Sequence, residues 1–209
     1  SGGLVPKGNP EKQVRANSGK WWKYSIEGIK SLEASEWESI HRGFFVGITN
    51  ENPNYVLPLD VLRNFESEGI ISDIHDNAIS VSGVGTHVSD SKEIGKDMAK
   101  YLKSQNIDCA ILVATWGTCN RCGATIAKEI EKEGIPVAMI TAIFSLALTT
   151  GASRVIKGAR IEHVCGDPAL GEEKDFNYRK NIVQMALNAL STEVTEPTLF
   201  EPKVLWTER

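Results

Sequence analysis

Two cysteines three residues apart, Cys119 and Cys122, lie in the run Ala114-Thr115-Trp116-Gly117-Thr118-Cys119-Asn120-Arg121-Cys122-Gly123. The spacing admits three chemistries. It suits a redox dithiol, or a nucleophile with a resolving partner, because the thiolate is the reactive form of cysteine and a second thiol can trap it as a disulfide. It also suits half of a zinc site, which needs two further ligands. His163 and Cys165 are the nearest pair by type, at a one-residue spacing unlike that of the common zinc knuckles. Finally, it suits two small buried hydrophobes. Position argues for reactivity. Cys109 to Ala114 reads as an apolar strand, and a helix is predicted from near Ala124 through Ile126, Ala127 and Ile130 to Gly134. The cysteines therefore occupy a strand-to-helix turn, where free N–H groups and the positive end of the helix dipole favour a sulfur anion.

A second loop carries Gly83-Val84-Gly85-Thr86. Two glycines let backbone approach a ligand, and successive N–H groups can form an anion nest for a carboxylate or phosphate. No third glycine completes a dinucleotide fingerprint, and a plain tight turn explains the residues equally well. His163, in the turn-rich Glu162-His163-Val164-Cys165-Gly166-Asp167-Pro168, is a candidate general acid or anion contact, or a satisfied loop histidine. His41, His75 and His87 stand alone, although His87 shares the Gly-x-Gly loop. Trp21, Trp22, Tyr24 and Trp37 could cover a methylated cationic substrate by cation–π contact, or form a core patch.

The elements that must position these residues alternate. Residues 1–57 read as an irregular region or linker with the aromatic cluster: loop to Ser18, then extended pieces and a short helix between Lys20 and His41. Residues 58–192 read as an α/β domain. It begins with a helix over Pro58 to Phe65 that ends at Gly69, and a strand follows over Ala78 to Ser82. Asp90 is predicted to cap a helix through Ile94, Met98 and Leu102. After the cysteine turn come a strand over Ile135 to Thr141, a short helix over Ala142 to Thr150, a strand at Arg154 to Ile156, and an amphipathic helix from Tyr178 to Leu190. Residues 193–209 read as a tail wrapping the surface. Strands of near-continuous apolar sequence alternating with helices predict a three-layer α/β fold: a mainly parallel, doubly wound sheet with helices on both faces. Loops after the strands gather at one edge of such a sheet, so the loops 83–90 and 115–123 are expected to share a site.

Composition bounds the rest. The 209 residues and 41% hydrophobic content suit a globular domain, and a net charge of −4 gives no footprint for nucleic acid or an anionic membrane. The longest apolar run, Pro136 to Leu148, is too short to span a bilayer. Four cysteines are too few for a disulfide scaffold, so a reducing, cytoplasmic setting is expected. The opening Ser1-Gly2-Gly3, without Met, points to a removed tag or to a piece of a longer chain.

From Gly3 to Pro202 the sequence resembles the selenoprotein B component of the glycine, sarcosine and betaine reductases, with D-proline reductase as a more distant relative. The matching segments are Gly3-Leu4-Val5-Pro6-Lys7-Gly8-Asn9-Pro10, Asn50-Glu51-Asn52-Pro53, Val56-Leu57-Pro58-Leu59-Asp60-Val61-Leu62-Arg63 and, most specifically, Trp116 to Thr125. His163 to Leu170 is also similar, except that Cys165 departs from the family pattern. The family's motif reads selenocysteine-Gly-Thr-Cys-x-x-Cys-Gly, so Trp116 stands at the selenocysteine position. Either a UGA codon has been read as Trp, as some genetic codes do, or the Trp is genuine and the chain is a thiol-bearing or non-catalytic subunit.

Family members are about twice this length, and the resemblance makes this chain the C-terminal half. It implies a substrate-specific subunit of an oxidoreductase that cleaves a C–N bond, with a disulfide as acceptor. The selenolate attacks the α-carbon of an activated small amino acid or methylated amine; in the glycine system the substrate is activated as a Schiff base with a partner subunit's pyruvoyl group. A small selenoprotein A takes the carboxymethyl group, and a third component releases acetyl phosphate. Trp116 (as selenocysteine), Cys119 and Cys122 are then catalytic, the two cysteines as redox partners. Gly83, Gly85, Thr86, Gly117, Thr118 and His163 are expected to contact substrate, with the 83–86 loop on its carboxylate. No bound metal or dissociable cofactor is expected.

Overall fold

A computed structural model describes residues 2–202; residue 1 and residues 203–209, the end of the predicted tail, lie outside the described residues. The molecule is an α/β protein. Its centre is a four-stranded sheet of β5 (Ala110–Ala114), β6 (Val137–Thr141), β7 (Arg154–Lys157) and β8 (Thr198–Phe200), in that order and parallel throughout. The helices that flank it are α4 (Gly117–Glu131), α5 (Phe144–Thr150) and α6 (Glu172–Leu190). Alternate strand residues meet different helices, as the two-residue period of a strand requires. Val113, Ala138, Ile140 and Ile156 pack with Ile182, Ala186 and Ala189 of α6. Ala114, Met139 and Val155 pack with Ala124 of α4 and Ala147 of α5. All five residues of β6 are buried, which explains its unbroken apolar sequence.

The N-terminal residues build two antiparallel pairs. β1 (Leu4–Pro6) lies beside β3 (Trp37–Ser39), and β2 (Trp22–Ser25) beside β4 (Asn77–Ser80). Trp22, Tyr24 and Trp37 are buried with Val5, Leu32 and Leu59, so these aromatics are core rather than a substrate cage. Trp21 packs against Tyr101 and donates its indole N–H to Asp97 at 2.8 Å. The remaining α-helices among the described residues are the short α1 (Gly47–Glu51), α2 (Leu59–Ser67) and α3 (Val88–Ser104).

Several expectations are corrected. The strand near Ala78 pairs with β2 instead of joining the parallel sheet; an apolar cavity of about 130 Å³, lined by Ile79, Val81, Ile111 and Val113 among others, lies between β4 and β5. No helix forms between Lys20 and His41, where short strands and turns bury the aromatics. Residues 1–18 are not all loop, because Val5 is fully buried in β1. α3 starts at Val88 with His87 as its N-cap; Asp90 lies inside the first turn, where its charge suits the helix dipole. The tail does more than cover the surface: Thr198–Phe200 adds a parallel strand beside β7. Finally, α4 begins at Gly117, seven residues before the predicted Ala124.

Two glycines seat α4. A Cβ on Gly95 of α3 would fall 2.7 Å from Glu129 Cβ and 3.1 Å from the Ile126 backbone, so the two helices touch there. A Cβ on Gly123 would fall 3.0 Å from Leu112 Cδ2, so the second turn of α4 lies directly on the sheet.

Candidate active site

The early start of α4 changes the local chemistry of the cysteine turn. Trp116 is the N-cap, with an extended backbone, Gly117 and Thr118 are the first two helical residues, and Cys119 is the third. Both cysteines are therefore inside the helix, with Cys119 in its first turn. The first N–H groups of a helix have no acceptor within it and carry partial positive charge, so position 116 and the groups beside it face an anion-favouring field. Asn120 ties this end down. Its Nδ2 donates to Trp116 O at 2.9 Å and its Oδ1 accepts from Thr141 Oγ1 at the end of β6. Gly117, Thr118, Cys119 and Asn120 are poor helix formers, which hid the helix start; the buried Asn120 side chain and tertiary packing supply what propensity does not.

Position 116 is open to solvent: Trp116 is 39% exposed, and a Cβ on Gly117 would meet nothing within 4 Å. Cys119 and Cys122 are buried behind it. Gly83 lies against both, and a Cβ there would stand 3.2 Å from Cys119 Cα and 3.2 Å from Cys122 Cβ. Gly85 N–H donates to Thr118 Oγ1 at 3.2 Å, and Arg121 reaches Thr86 O at 3.4 Å. The two loops expected to share a site thus do meet. Gly85 has φ +70 and a Cβ on it would overlap the Asn17 side chain, so glycine is required there. Thr86 is fully buried and braces the loop, its Oγ1 accepting from Ser18 N–H at 3.0 Å. His163 is buried on the connection after β7. Its Nδ1 lies 2.6 Å from Gly166 O and its ring 6.0 Å from that of Tyr55.

His41 stands alone in the sequence and draws less weight there than the cysteine turn, yet its Nε2 lies 2.7 Å from Cys119 Sγ. Gly43 N–H donates to the other ring nitrogen, Nδ1, at 2.9 Å. Burial pushes the His41 imidazole down to about 4, so the ring is neutral near pH 7. A neutral imidazole that accepts at Nδ1 carries its proton on Nε2. The group facing Cys119 is therefore an N–H donor. Gly43 sits between the two rings: a Cβ there would lie 2.7 Å from His41 Cε1 and 2.7 Å from Trp116 Cδ1. The other cysteines are held as thiols. Burial pushes Cys122 and Cys109 up, and takes Cys165 to about 12. Among the described residues no cluster of three or more His, Cys, Asp or Glu is placed to hold a metal ion.

The His41 shift has a measurable consequence. Its ordinary value is 6.5, so between pH 6.5 and about 4 the unfolded chain binds more protons than the fold. The stability from the neutral buried ring is present above pH 6.5 and is lost as pH falls through about 4, in total about 3 kcal/mol. Urea unfolding at pH 7 and pH 4 should show that share missing from the pH dependence of His41→Gln; identical pH dependence in parent and variant would contradict a buried neutral ring.

Fold and site together define an α/β protein with a histidine-paired cysteine one turn behind an exposed helix N-cap. The family described as glycine/sarcosine/betaine reductase selenoprotein B matches residues 1–115, and the chain belongs to it. The glycine reductase complex component B subunit gamma of Peptoclostridium acidaminophilum is 44% identical over 201 residues, covering 96% of this chain and 46% of the relative. The betaine reductase complex component B subunit beta of the same organism is 35% identical over 204 residues, covering 98% and 47%. The D-proline reductase subunit gamma of Acetoanaerobium sticklandii is more distant, 31% identical over 117 residues, covering 56% and 48%. The chain thus spans about half the length of the curated relatives it matches. No solved structure matches it. No helix among the described residues is long and apolar enough to cross a membrane.

Proposed function

We propose that the chain is the part of a glycine, sarcosine or betaine reductase B component that carries the reductive C–N cleavage site, and that position 116 is the site of its nucleophile. The observation that carries this reading is the placing of 116: an exposed N-cap at a helix N-terminus, with Cys119 and its hydrogen-bonded His41 directly behind it. Indole has no ionisable nucleophilic atom, whereas a selenocysteine side chain is smaller than the indole now held at this partly exposed position. A selenolate there supplies the attack on the substrate α-carbon, forming a C–Se bond as the C–N bond breaks and the amine leaves with its electron pair.

The chain's own residues set that group. The first-turn N–H groups stabilise the anion, and Asn120 fixes the turn. The Gly83–Thr86 loop, joined to the turn by the Gly85–Thr118 contact, takes the substrate carboxylate, with Gly117 and Thr118 beside it. His163 is held by the contact between its Nδ1 and Gly166 O, which leaves Nε2 as the ring nitrogen for a substrate contact. A partner subunit contributes the pyruvoyl group that activates the substrate, and a small selenoprotein A and an acetyl-phosphate-forming component follow in the sequence, in a cytoplasmic complex.

The test is substrate-dependent amine release by the complex reconstituted with Trp116→selenocysteine in this chain. Release that depends on the substitution supports the proposal; none, with every partner component present, overturns it.

A further inference from the structure

We propose that Cys119, aligned by His41, is the sulfur that pairs with a chalcogen at position 116, and that Cys122 is not. The inference rests on the reading of position 116 as the nucleophile site, and it is carried by helix geometry and by the hydrogen bonds of the His41 ring.

A helix rises about 1.5 Å per residue, which separates positions 116 and 119 by about 4.5 Å along the axis and positions 116 and 122 by about 9 Å. A disulfide requires Cα atoms roughly 4.4–6.8 Å apart, and a selenenylsulfide is similar. Residue 119 is within reach of 116, and residue 122, a further turn away on a straight helix, is not. Cys122 is also packed elsewhere: it is buried against Gly83, where a Cβ would stand 3.2 Å from its own. His41, by contrast, directs an N–H at Cys119 Sγ, because Gly43 holds its other nitrogen as an acceptor. A sulfur that receives a donor is favoured as thiolate, the form that attacks a chalcogen. His41 acts here through Cys119, so it is a positioning residue.

The 209-residue chain with Trp116→Cys tests this without substrate or partners. Glutathione disulfide is the oxidant. The new thiolate at position 116 attacks it and expels one glutathione thiolate, leaving a mixed disulfide. Cys119 then attacks the position-116 sulfur and expels the second, so two protein thiols are oxidised as one glutathione disulfide is reduced. Peptide mass spectrometry is expected to find the 116–119 bridge. A dominant 116–122 or 119–122 bridge would overturn the assignment.

The rate of the second thiol release reads the role of His41. His41→Leu is expected to slow it about tenfold or more, the worth of one hydrogen bond to a charged group. His41→Gln, whose Nε2 amide still donates, should stay within about threefold of the parent rate. Equal rates in the Leu and Gln variants would remove His41 from the inference. If the Leu variant does not fold, the bridge map of Trp116→Cys alone still decides which cysteine pairs. The two readings fail separately: a 116–119 bridge without amine release leaves this inference standing and sinks the functional one, and the converse pattern does the opposite.

Discussion

Amine release by the reconstituted complex should follow the anion available at position 116: highest with selenocysteine, lower with Trp116→Cys, and absent with Trp116→Ser or the parent Trp. A selenol is ionised at neutral pH. A thiol of ordinary pKa near 8.5 is not, and at pH 7 ionisation alone leaves about thirtyfold less nucleophile. The helix N-terminus offsets part of that deficit, so the cysteine variant should gain activity as pH rises from 7 toward 9, while the selenocysteine form stays flat over the same range. A serine hydroxyl without an adjacent base offers no anion, and indole offers no nucleophile at all. The measurement is the pH profile of amine release for each form. Equal activity of the serine and selenocysteine forms would mean that the group at 116 is not the nucleophile.

The second large effect is on stability, away from the cysteine turn. Arg179 of α6 is 3% exposed and holds two carboxylates, Asp60 Oδ2 at 3.0 Å and Asp175 Oδ2 at 3.1 Å. Tyr55 donates its hydroxyl to Asp175 at 3.1 Å, and Asp167 N–H donates to the other Asp175 oxygen at 2.6 Å. Burial pushes Asp60 above the usual carboxylate range even with Arg179 beside it. Arg179→Met therefore leaves the buried Asp175 and the half-buried Asp60 without their cation, at a cost of about 3–5 kcal/mol. Adding Asp60→Asn and Asp175→Asn should recover part of that loss, because the penalty belongs to the unpaired charge rather than to the missing pair. Denaturant midpoints of the single and triple variants decide this. A single variant as stable as the parent would show the network to be unimportant.

This node also accounts for the path of the chain at Cys165 and Gly166. Cys165 N–H donates to Tyr55 O at 3.0 Å. A Cβ on Gly166 would lie 2.5 Å from Asp175 Oδ1 and 2.6 Å from the Tyr55 ring, so the chain can pass only as glycine.

What the sequence made legible was whatever has a period or a strong local signal. β5 and β6 are unbroken apolar runs, α3 and α6 are amphipathic, and Cys-x-x-Cys after β5 marks the turn. The position of β4 was not legible, because an alternating strand gives the same pattern whether it joins a parallel sheet or pairs with β2. β8 was obscured by its neighbours Pro197 and Pro202, which read as tail. The start of α4 was hidden because its first turn is held by Asn120 rather than by propensity. His41 was the largest omission. It lies 78 residues from Cys119, in a segment with no periodicity, and only the fold brings the ring to the sulfur. Its one local clue is Gly43, whose N–H turns back onto the ring and fixes the proton.

The claim on which these conclusions converge is that the residue at 116 in the living protein holds a chalcogen anion at the start of α4. Mass spectrometry of the peptide spanning Thr115 to Arg121, taken from protein isolated from its native source, tests it most directly. The isotope pattern of selenium at position 116 is predicted; an unmodified tryptophan at 116 in that material would contradict it.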